Sequence, residues 1–466
     1  MHTSTTSTNA LMPWSAQDLA QATQGSWYKE RTPNTQIKRI LTNSRHAESG
    51  DAFLALKGER FDAHTFVAQV QTQGCEVAIV ERPIDDVEIY QLVVADTRLA
   101  LGLLGAFRRK SCHDLKVVAL TGSSGKTTTK EMLGSIFSQL APTLVTRGNL
   151  NNDLGVPMML LELTEQHRYA VMELGANHQG EIDYTSHLVA PDVAGILNIG
   201  TAHLGEFGGR EGICQAKSEI YQHLKASGCA IVPKNDDFTV KIEQKTQSFQ
   251  CLSFGEGGDV YATDIQLQSE STIFLLHTPK GITQIDLPFA GAHNVDNALA
   301  ATAFALALDV PLQVIAQGLA SAVAAKGRLN FIRKKQYLCI DDTYNANPTS
   351  MLAASHVLSQ QQGIKVLVMG DIGELGDTAT SEHQKLGEQL SHFAIDQIVA
   401  VGEYAQAVSV AATGPVPVAH FETQAQALPY LIEMIKKHQP QTMSFLFKGS
   451  RFTHMETLMA DLMETL

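Results

Sequence analysis

The chain has 466 residues, and 35 lysines and arginines against 48 aspartates and glutamates leave a net charge of −13. That length exceeds one ordinary core and points to two or three domains, each large enough to fold without disulfide staples. The acidic balance repels polyanions, so it argues against nucleic-acid binding and requires any bound nucleotide to find a local positive site.

The opening stretch, "MHTSTTSTNALMPWS", has neither a basic nor an apolar leader region, and its Ser/Thr-rich first nine residues read as a frayed terminus. The longest apolar run, Ala298 to Leu308, is too short to span a bilayer. The expectation is a soluble cytoplasmic protein without membrane insertion. The six cysteines are scattered without a C-x-x-C pair and read as buried thiols in a reducing compartment.

Along the chain, "LTNSRHAESGDAFLALKGERFDAHTF" groups Ser44, Arg45, Lys57, Arg60, Asp62 and His64; taken alone it reads as a solvated loop. A domain boundary falls near Lys110 to Asp114. Beyond it, "KVVALTGSSGKTTTKEM" runs from a β-branched strand into a Gly/Ser turn, a lysine, three threonines and a helix-compatible segment. Gly122 and Gly125, with Ser123, Ser124 and Thr128 around them, can turn backbone N–H groups toward phosphate oxygens. Lys126 reaches the β and γ groups, and Thr127 offers a hydroxyl to Mg²⁺. The full phosphate-loop pattern asks for Gly where this chain has Leu120, so the match is to the core of the motif. A kinase, a switch, a motor and a ligase all remain open to such a loop.

Eight apolar runs follow or include this strand, "VVAL", "YAVMEL", "VAGILNI", "CAIVP", "YLCID", "KVLVMG", "QIVAVG" and "SFLFKGS", alternating with helix-like segments. That alternation predicts parallel sheets wrapped by helices, with ligand groups at the carboxyl ends of the strands. Glu173 ends one run and His203 lies shortly after another; both are candidate metal ligands, although Mg²⁺ favours the oxygen donor. The segment from Ser253 to Phe289 alternates polar and apolar residues between turns and reads as an appended antiparallel sheet. A second boundary falls near Ala324 to Asn330, after an Ala-rich helix.

The set "TGSSGKTT", "GNLNNDLGVP", "MELGANHQGEI", "AHLGEFG", "AKSEI", "GAHNVDNALAA", "GRL", "DDTYNANP" and "KGSR", together with "ALKGERFDAHTF", resembles the Mur ligase family through the whole chain and in the same order. The resemblance implies an α/β protein of three domains. These are an N-terminal UDP-muramoyl-binding domain (1–112), a central parallel-sheet ATPase domain with an appended antiparallel sheet (113–325), and a C-terminal Rossmann-like domain (326–466) for the ATP ribose and the incoming dipeptide. It further implies a monomer that joins UDP-N-acetylmuramoyl-tripeptide to D-alanyl-D-alanine with ATP, through an acyl phosphate.

Residue by residue, the resemblance assigns Lys126 to the β and γ phosphates, Thr127 and Glu173 to one Mg²⁺, and His203 to a second. Lys217, by itself a helix-surface lysine, matches the family's carbamylated lysine. Asn294 and Asn297 would meet adenine, Asp342 the ribose, and Arg328 a phosphate or carboxylate when the domains close. Ser44, Arg45, Lys57, Arg60, Asp62 and His64 would serve the UDP end, and Asn149, Asn151 and Asn152 the muramoyl peptide arm. Tyr344, Asn345, Asn347, Lys448, Ser450 and Arg451 would lie at the peptide substrates, the last three meeting carboxylates. The same class includes the ligase that adds a single amino acid and folylpolyglutamate-type ligases; a phosphate-loop switch is the rival from another class.

Overall fold

The computed structural model describes residues 12–58, 61–201, 204–411 and 416–466. The Ser/Thr-rich start, Arg60 and His203 lie outside them. The chain forms two compact units, one of Met1–Ala119, Ala141–Gly175 and Glu181–Asp192, the other of Leu120–Leu140, Ala176–Gly180 and Val193–Leu466.

The first unit carries β1 (Ser26–Trp27), β2 (Ile40–Leu41), β3 (Ala52–Leu54), β4 (Val77–Val80) and β5 (Tyr90–Val93) in the order β1-β5-β4-β3-β2. Only the β1–β5 pairing in this sheet is antiparallel. Side chains alternate across a strand, so Val77 and Ile79 enter one core with Trp14, Leu19 and Leu101, while Ala78 and Val80 enter another with Phe53, Val67 and Val70. Burial on both faces explains why β4 reads as a continuous apolar run. Strand β6 (Lys116–Thr121) begins in the first unit and ends in the second. Strands β7 (Thr143–Val145) and β8 (Tyr169–Glu173) of the first unit pair in parallel.

In the second unit β9 (Val193–Ile196), β10 (Cys229–Pro233) and β11 (Gln250–Phe254) are parallel neighbours. The expected antiparallel sheet is β12 (Tyr261–Leu267), β13 (Thr272–Thr278) and β14 (Gly281–Leu287), and the Ala-rich helix spans Ala292–Leu306. The last sheet contains β15 (Asn330–Lys334), β16 (Tyr337–Asp341), β17 (Ile364–Gly370), β18 (Gln397–Val401), β19 (Val418–Phe421) and β20 (Met443–Lys448), ordered β15-β16-β20-β17-β18-β19. Apart from β15–β16, its pairings are parallel. Because β20 inserts between β16 and β17, the chain leaves those two strands on either side of it, which makes a switch point with a crevice at the carboxyl ends.

All eight apolar runs are strands. Five cysteines are buried as expected, and Cys251 is exposed. Among the described residues no helix is long and apolar enough to cross a membrane.

Candidate active site

The phosphate loop is held by its neighbour. Asn198, just past β9, accepts N–H groups of Ser123 and Ser124 through its Oδ1 at 3.1 and 3.0 Å and returns its amide to the Ser124 carbonyl at 3.1 Å. Ser123 Oγ in turn accepts the Gly200 N–H at 2.9 Å. Gly125 takes a positive φ of 78° at the cap of the helix Lys126–Ser138. A side chain there would meet Asn297 Oδ1 at 2.1 Å, so only glycine fits. The helix amino terminus therefore opens directly from the loop, an arrangement suited to an anion. Lys126 donates from Nζ to the Gly122 carbonyl at 2.7 Å, folding its ammonium back over the turn.

Asn297 connects this loop to the Ala-rich helix: its Oδ1 accepts from Thr129 at 3.4 Å, and its amide donates to Asn294 Oδ1 at 3.0 Å. Asn294 closes the chain by donating to the Ala290 carbonyl at 2.8 Å. Both amides are buried yet line a cavity.

At the switch point, register sets the chemistry. Asp341 pairs with Phe447, so the residues immediately after them, Asp342 and Lys448, face one another at the strand ends. They form a buried ion pair at 2.6 Å; Lys448 also donates to the Asn345 carbonyl at 3.0 Å, and the Leu329 N–H donates to Asp342 at 3.2 Å. Burial lowers the Lys448 ammonium from its ordinary range although Asp342 pulls it up. Lys448 is thus a partner for Asp342 inside the protein as well as a wall residue. Arg328 lays its guanidinium 4.3 Å over the Tyr344 ring. Asn347 caps the helix Pro348–Ser359, accepting the Ser350 N–H at 2.8 Å. Asn345 Oδ1 accepts from the backbone of Ala346 and Arg451. Ser450 accepts the Gly373 N–H at 2.9 Å and donates to the Ala346 carbonyl at 3.2 Å, and Arg451 pairs with Glu456 at 2.9 Å.

These elements enclose a cavity of about 560 Å³ within the second unit. Its walls run from Ser123–Thr128 through Asn198, Arg210, Asp236, His293, Asn294, Asp296 and Asn297 to Arg328, Asp342, Asn345, Asn347, Glu374 and Lys448. Small-molecule pockets occupy roughly 300–1,000 Å³, so the size suits a nucleotide. Three wall residues leave buried polar atoms without a hydrogen-bond partner among the described residues: Thr201 Oγ1, Arg210 Nε and Arg328 Nε. Such atoms are costly unless a ligand meets them, and two belong to guanidiniums suited to phosphate.

The titrating wall groups are shifted by enclosure. Burial pushes the His293 imidazole down to about 4 and the Asp296 carboxyl up to about 6. Asp296 lines the cavity and is exposed there. Lys217, on the helix Arg210–Ser218, is 2% exposed. Burial, reinforced by the Lys126 charge, drives its ammonium far below the ordinary lysine range. The surface lysine suggested by local pattern is a buried amine.

In the first unit, Asp62 accepts from the His64 backbone at 3.0 Å, from His64 Nδ1 at 2.6 Å and from Arg82 at 2.9 Å. Arg82 holds the Asp62 carboxyl well below the usual carboxylate range. His64 is buried and its Nε2 accepts the Glu81 N–H at 2.8 Å, which places its proton on Nδ1. Both residues are committed to each other. Lys57 is exposed, 4.0 Å from Glu81, and Ser44 and Arg45 lie on a short 3₁₀ turn capped by Asn43. Glu173 is buried, takes the Asn151 amide at 2.8 Å and donates its N–H to Thr146 at 3.0 Å. Asn152 caps the Gly155 N–H at 2.8 Å, and Asn149 is exposed.

Sequence reasoning missed Asn198, Asp236, Arg210, His293, Asp296 and Glu374. Asn198 lies near the end of the run "VAGILNI" and Asp236 just past "CAIVP", so their position carried a signal; the others sit in segments whose facing only the tertiary structure sets. No group of three or more His, Cys, Asp or Glu side chains able to hold a metal occurs among the described residues. Thr127, on the cavity wall, is an oxygen donor of the kind Mg²⁺ takes alongside substrate phosphates.

Comparison with known proteins follows the same outline. Residues 120–305 match the Mur ligase middle domain and 327–451 the Mur ligase glutamate ligase domain. The chain is 42% identical to the UDP-N-acetylmuramoyl-tripeptide–D-alanyl-D-alanine ligase of Escherichia coli over 92% of this chain and 94% of that one. It superposes with a TM-score of 0.95 on a crystal structure of MurF from Acinetobacter baumannii, at 70% identity, covering 98% of this chain and 100% of that one. MurF from Thermotoga maritima in complex with ADP aligns with a TM-score of 0.81 at 28% identity, over 91% and 97%.

Proposed function

The chain belongs to the Mur ligase family, and from that premise we propose that it joins the tripeptide carboxylate of UDP-N-acetylmuramoyl-tripeptide to the amino group of D-alanyl-D-alanine, using ATP. The product is the muramoyl pentapeptide nucleotide of peptidoglycan precursor synthesis, released with ADP and phosphate. The observation that carries this reading is one cavity walled both by the phosphate loop and by the switch-point loops of the last sheet.

A carboxylate is a poor electrophile, so it must first be activated. Its oxygen attacks the γ-phosphorus of ATP, ADP leaves, and an acyl phosphate remains. The neutral amine nitrogen of the dipeptide then attacks the carbonyl carbon; the C–N bond forms, the C–O bond to phosphate breaks, and the nitrogen gives up its proton to the departing phosphate or to water. Loop N–H groups, Lys126 and Arg328 stabilise charge on the transferring phosphoryl group, and positioning contributes most of the rest. Asn294 and Asn297 serve the adenine and Asp342 the ribose. Thr127 would offer its hydroxyl oxygen to Mg²⁺, and the metal when bound neutralises phosphate charge.

Lys217 supports the carbamate reading on its own chemistry. Addition of CO₂ requires a neutral amine, and burial beside Lys126 favours that form. The resulting N–C bond and loss of a proton turn the side chain into an anion compatible with nearby cations. We assign 1–112, 113–325 and 326–466 to nucleotide-peptide, ATP and dipeptide handling, in a cytoplasmic monomer.

Incubation with ATP, Mg²⁺, UDP-N-acetylmuramoyl-tripeptide and D-alanyl-D-alanine should release phosphate only when both peptide substrates are present, with the pentapeptide nucleotide seen by mass. Phosphate release independent of the dipeptide would overturn the reading in favour of a nucleotide switch. Acceptance of a single amino acid in its place would move it to a neighbouring ligase.

A further inference from the structure

The helix Ala292–Leu306 sets His293, Asp296, Asn297 and Ala300 at the spacing i, i+3, i+4 and i+7, which is one face of an α-helix, and all four line the cavity. In the middle of that face stands a carboxyl. Asp296 is exposed at the wall, whereas Val295 and Asn297 on either side of it in the chain are buried.

Hydrogen bonding separates Asp296 from the polar groups around it. Asn297 gives one amide N–H to Asn294 Oδ1 and accepts the Thr129 hydroxyl, and Asn294 gives one N–H to the Ala290 carbonyl. Each carboxamide therefore retains one N–H to donate. Asp342 is held by Lys448, and Asp236 by the Ile199 and Phe238 N–H groups. Asp296 has no hydrogen-bond or ion-pair partner among the described residues, and desolvation by itself raises its carboxyl to about 6.

The same cavity has an apolar side, to which the buried residues Leu197, Ile199, Phe254, Phe289 and Ala300 belong. With the phosphates of a nucleotide at the loop and the helix amino terminus, the flat base is the part that needs such a surface. Ala300 belongs both to this side and to the polar face, one turn beyond Asp296, so that face borders the place for a base edge. An adenine edge presents an exocyclic amine, which donates, beside a ring nitrogen, which accepts. The retained amide N–H groups suit the ring nitrogen. The amine needs an acceptor, and the Asp296 carboxyl is one that no described residue occupies.

We propose that Asp296 accepts the exocyclic amine of the adenine and sets the preference for ATP over nucleotides that carry an oxygen at that position. This rests on the nucleotide site of the ligase reading above and names its base-selecting residue. A 6-oxo purine would put a carbonyl oxygen against the carboxylate, acceptor facing acceptor, with no proton between them.

The test uses the full chain at about pH 8, where the carboxyl is ionised, and its first readout needs no turnover. By calorimetric titration the wild type should bind ADP more tightly than inosine diphosphate, and Asp296→Ala should shrink that ratio about 10- to 100-fold, the discrimination of one well-placed base contact. Purine riboside diphosphate, which has only hydrogen at that carbon, should bind wild type and Asp296→Ala alike. Asp296→Asn, of the same size, can turn an amide N–H to the 6-oxo group and should bind inosine diphosphate more tightly than the wild type does. In ligation assays Asp296→Ala should raise KM for ATP about 10- to 100-fold, with KM for both peptide substrates unmoved. An unchanged ADP-to-inosine diphosphate ratio, or an equal loss for all three diphosphates, overturns the assignment. A shifted preference between ADP and 2′-deoxy-ADP with that ratio unchanged overturns it in favour of a ribose contact. If the wild type binds ADP but forms no amide from ATP and both peptide substrates, the ligase reading fails while the base assignment is still decided by the ratio; if it binds no ADP, both fall.

Discussion

Two polar clusters built from the same residue types behave in opposite ways. In the first unit Asp62, His64, Glu81 and Arg82 satisfy one another: every nitrogen of the His64 ring has a partner, and Asp62 accepts three hydrogen bonds. In the second unit the cavity wall leaves Thr201 Oγ1, Arg210 Nε and Arg328 Nε unpartnered among the described residues, beside groups whose protonation is shifted by enclosure. A satisfied network specifies a local structure, whereas unsatisfied groups around a cavity are directed at something else. A polar motif can bind only with the side-chain groups that remain unpaired once the chain has folded.

Lys126→Ala should lower kcat by about 10²- to 10³-fold, the loss typical of one preorganised charge-stabilising donor, with an unchanged melting curve. Unaltered kcat would remove Lys126 from the chemistry. Next, Lys448→Met leaves Asp342 charged and buried, which should cost about 3–5 kcal/mol in urea unfolding, and adding Asp342→Asn should recover much of it. Independent, additive losses would show that the pair is not coupled.

The first-unit network should respond in stability rather than in ATP handling. His64→Phe strands the Glu81 N–H and removes a partner of Asp62, for an expected loss of about 1–3 kcal/mol with KM for ATP unchanged. Full stability with selective loss of UDP-nucleotide affinity would instead make His64 a ligand-facing donor.

The smallest effect sharpens the second-unit side. His293, lowered from 6.5 to about 4 in the fold, binds fewer protons than in the unfolded chain between those values, so its contribution to stability is lost as pH falls from about 6.5 to 4. Asp296, raised from 3.8 to about 6, binds more protons folded than unfolded, so it favours the fold as pH falls from about 6 to 4. The two oppose each other. His293→Gln should therefore tilt the stability curve up on acidification relative to wild type, and Asp296→Asn should tilt it down; parallel curves for all three proteins would refute the shifts.

Much of this was legible along the chain. Strands came out of apolar runs because period and β-branching are local, and the loop from Gly122 to Thr128 came out because glycine, lysine and threonine at that spacing have few other uses. His64 and Lys448 were legible as chemistry but not as commitments, since their partners lie 17 and 106 residues away. Lys217 read locally as a surface residue because nothing in "AKSEI" reports what packs over it.

Short-range backbone preference and hydrophobic period are enough to set the alternation of strands and helices, the phosphate-loop turn and the polar residues that end the strands. Only the tertiary structure decided which of those polar residues face a cavity. Insertion of β20 between β16 and β17 opposes Asp342 to Lys448, burial strips Lys217 of its solvent, and the seating of the Ala-rich helix puts Asp296 on the cavity wall. Register, desolvation and packing arise from contacts between distant segments, and no local pattern encodes them.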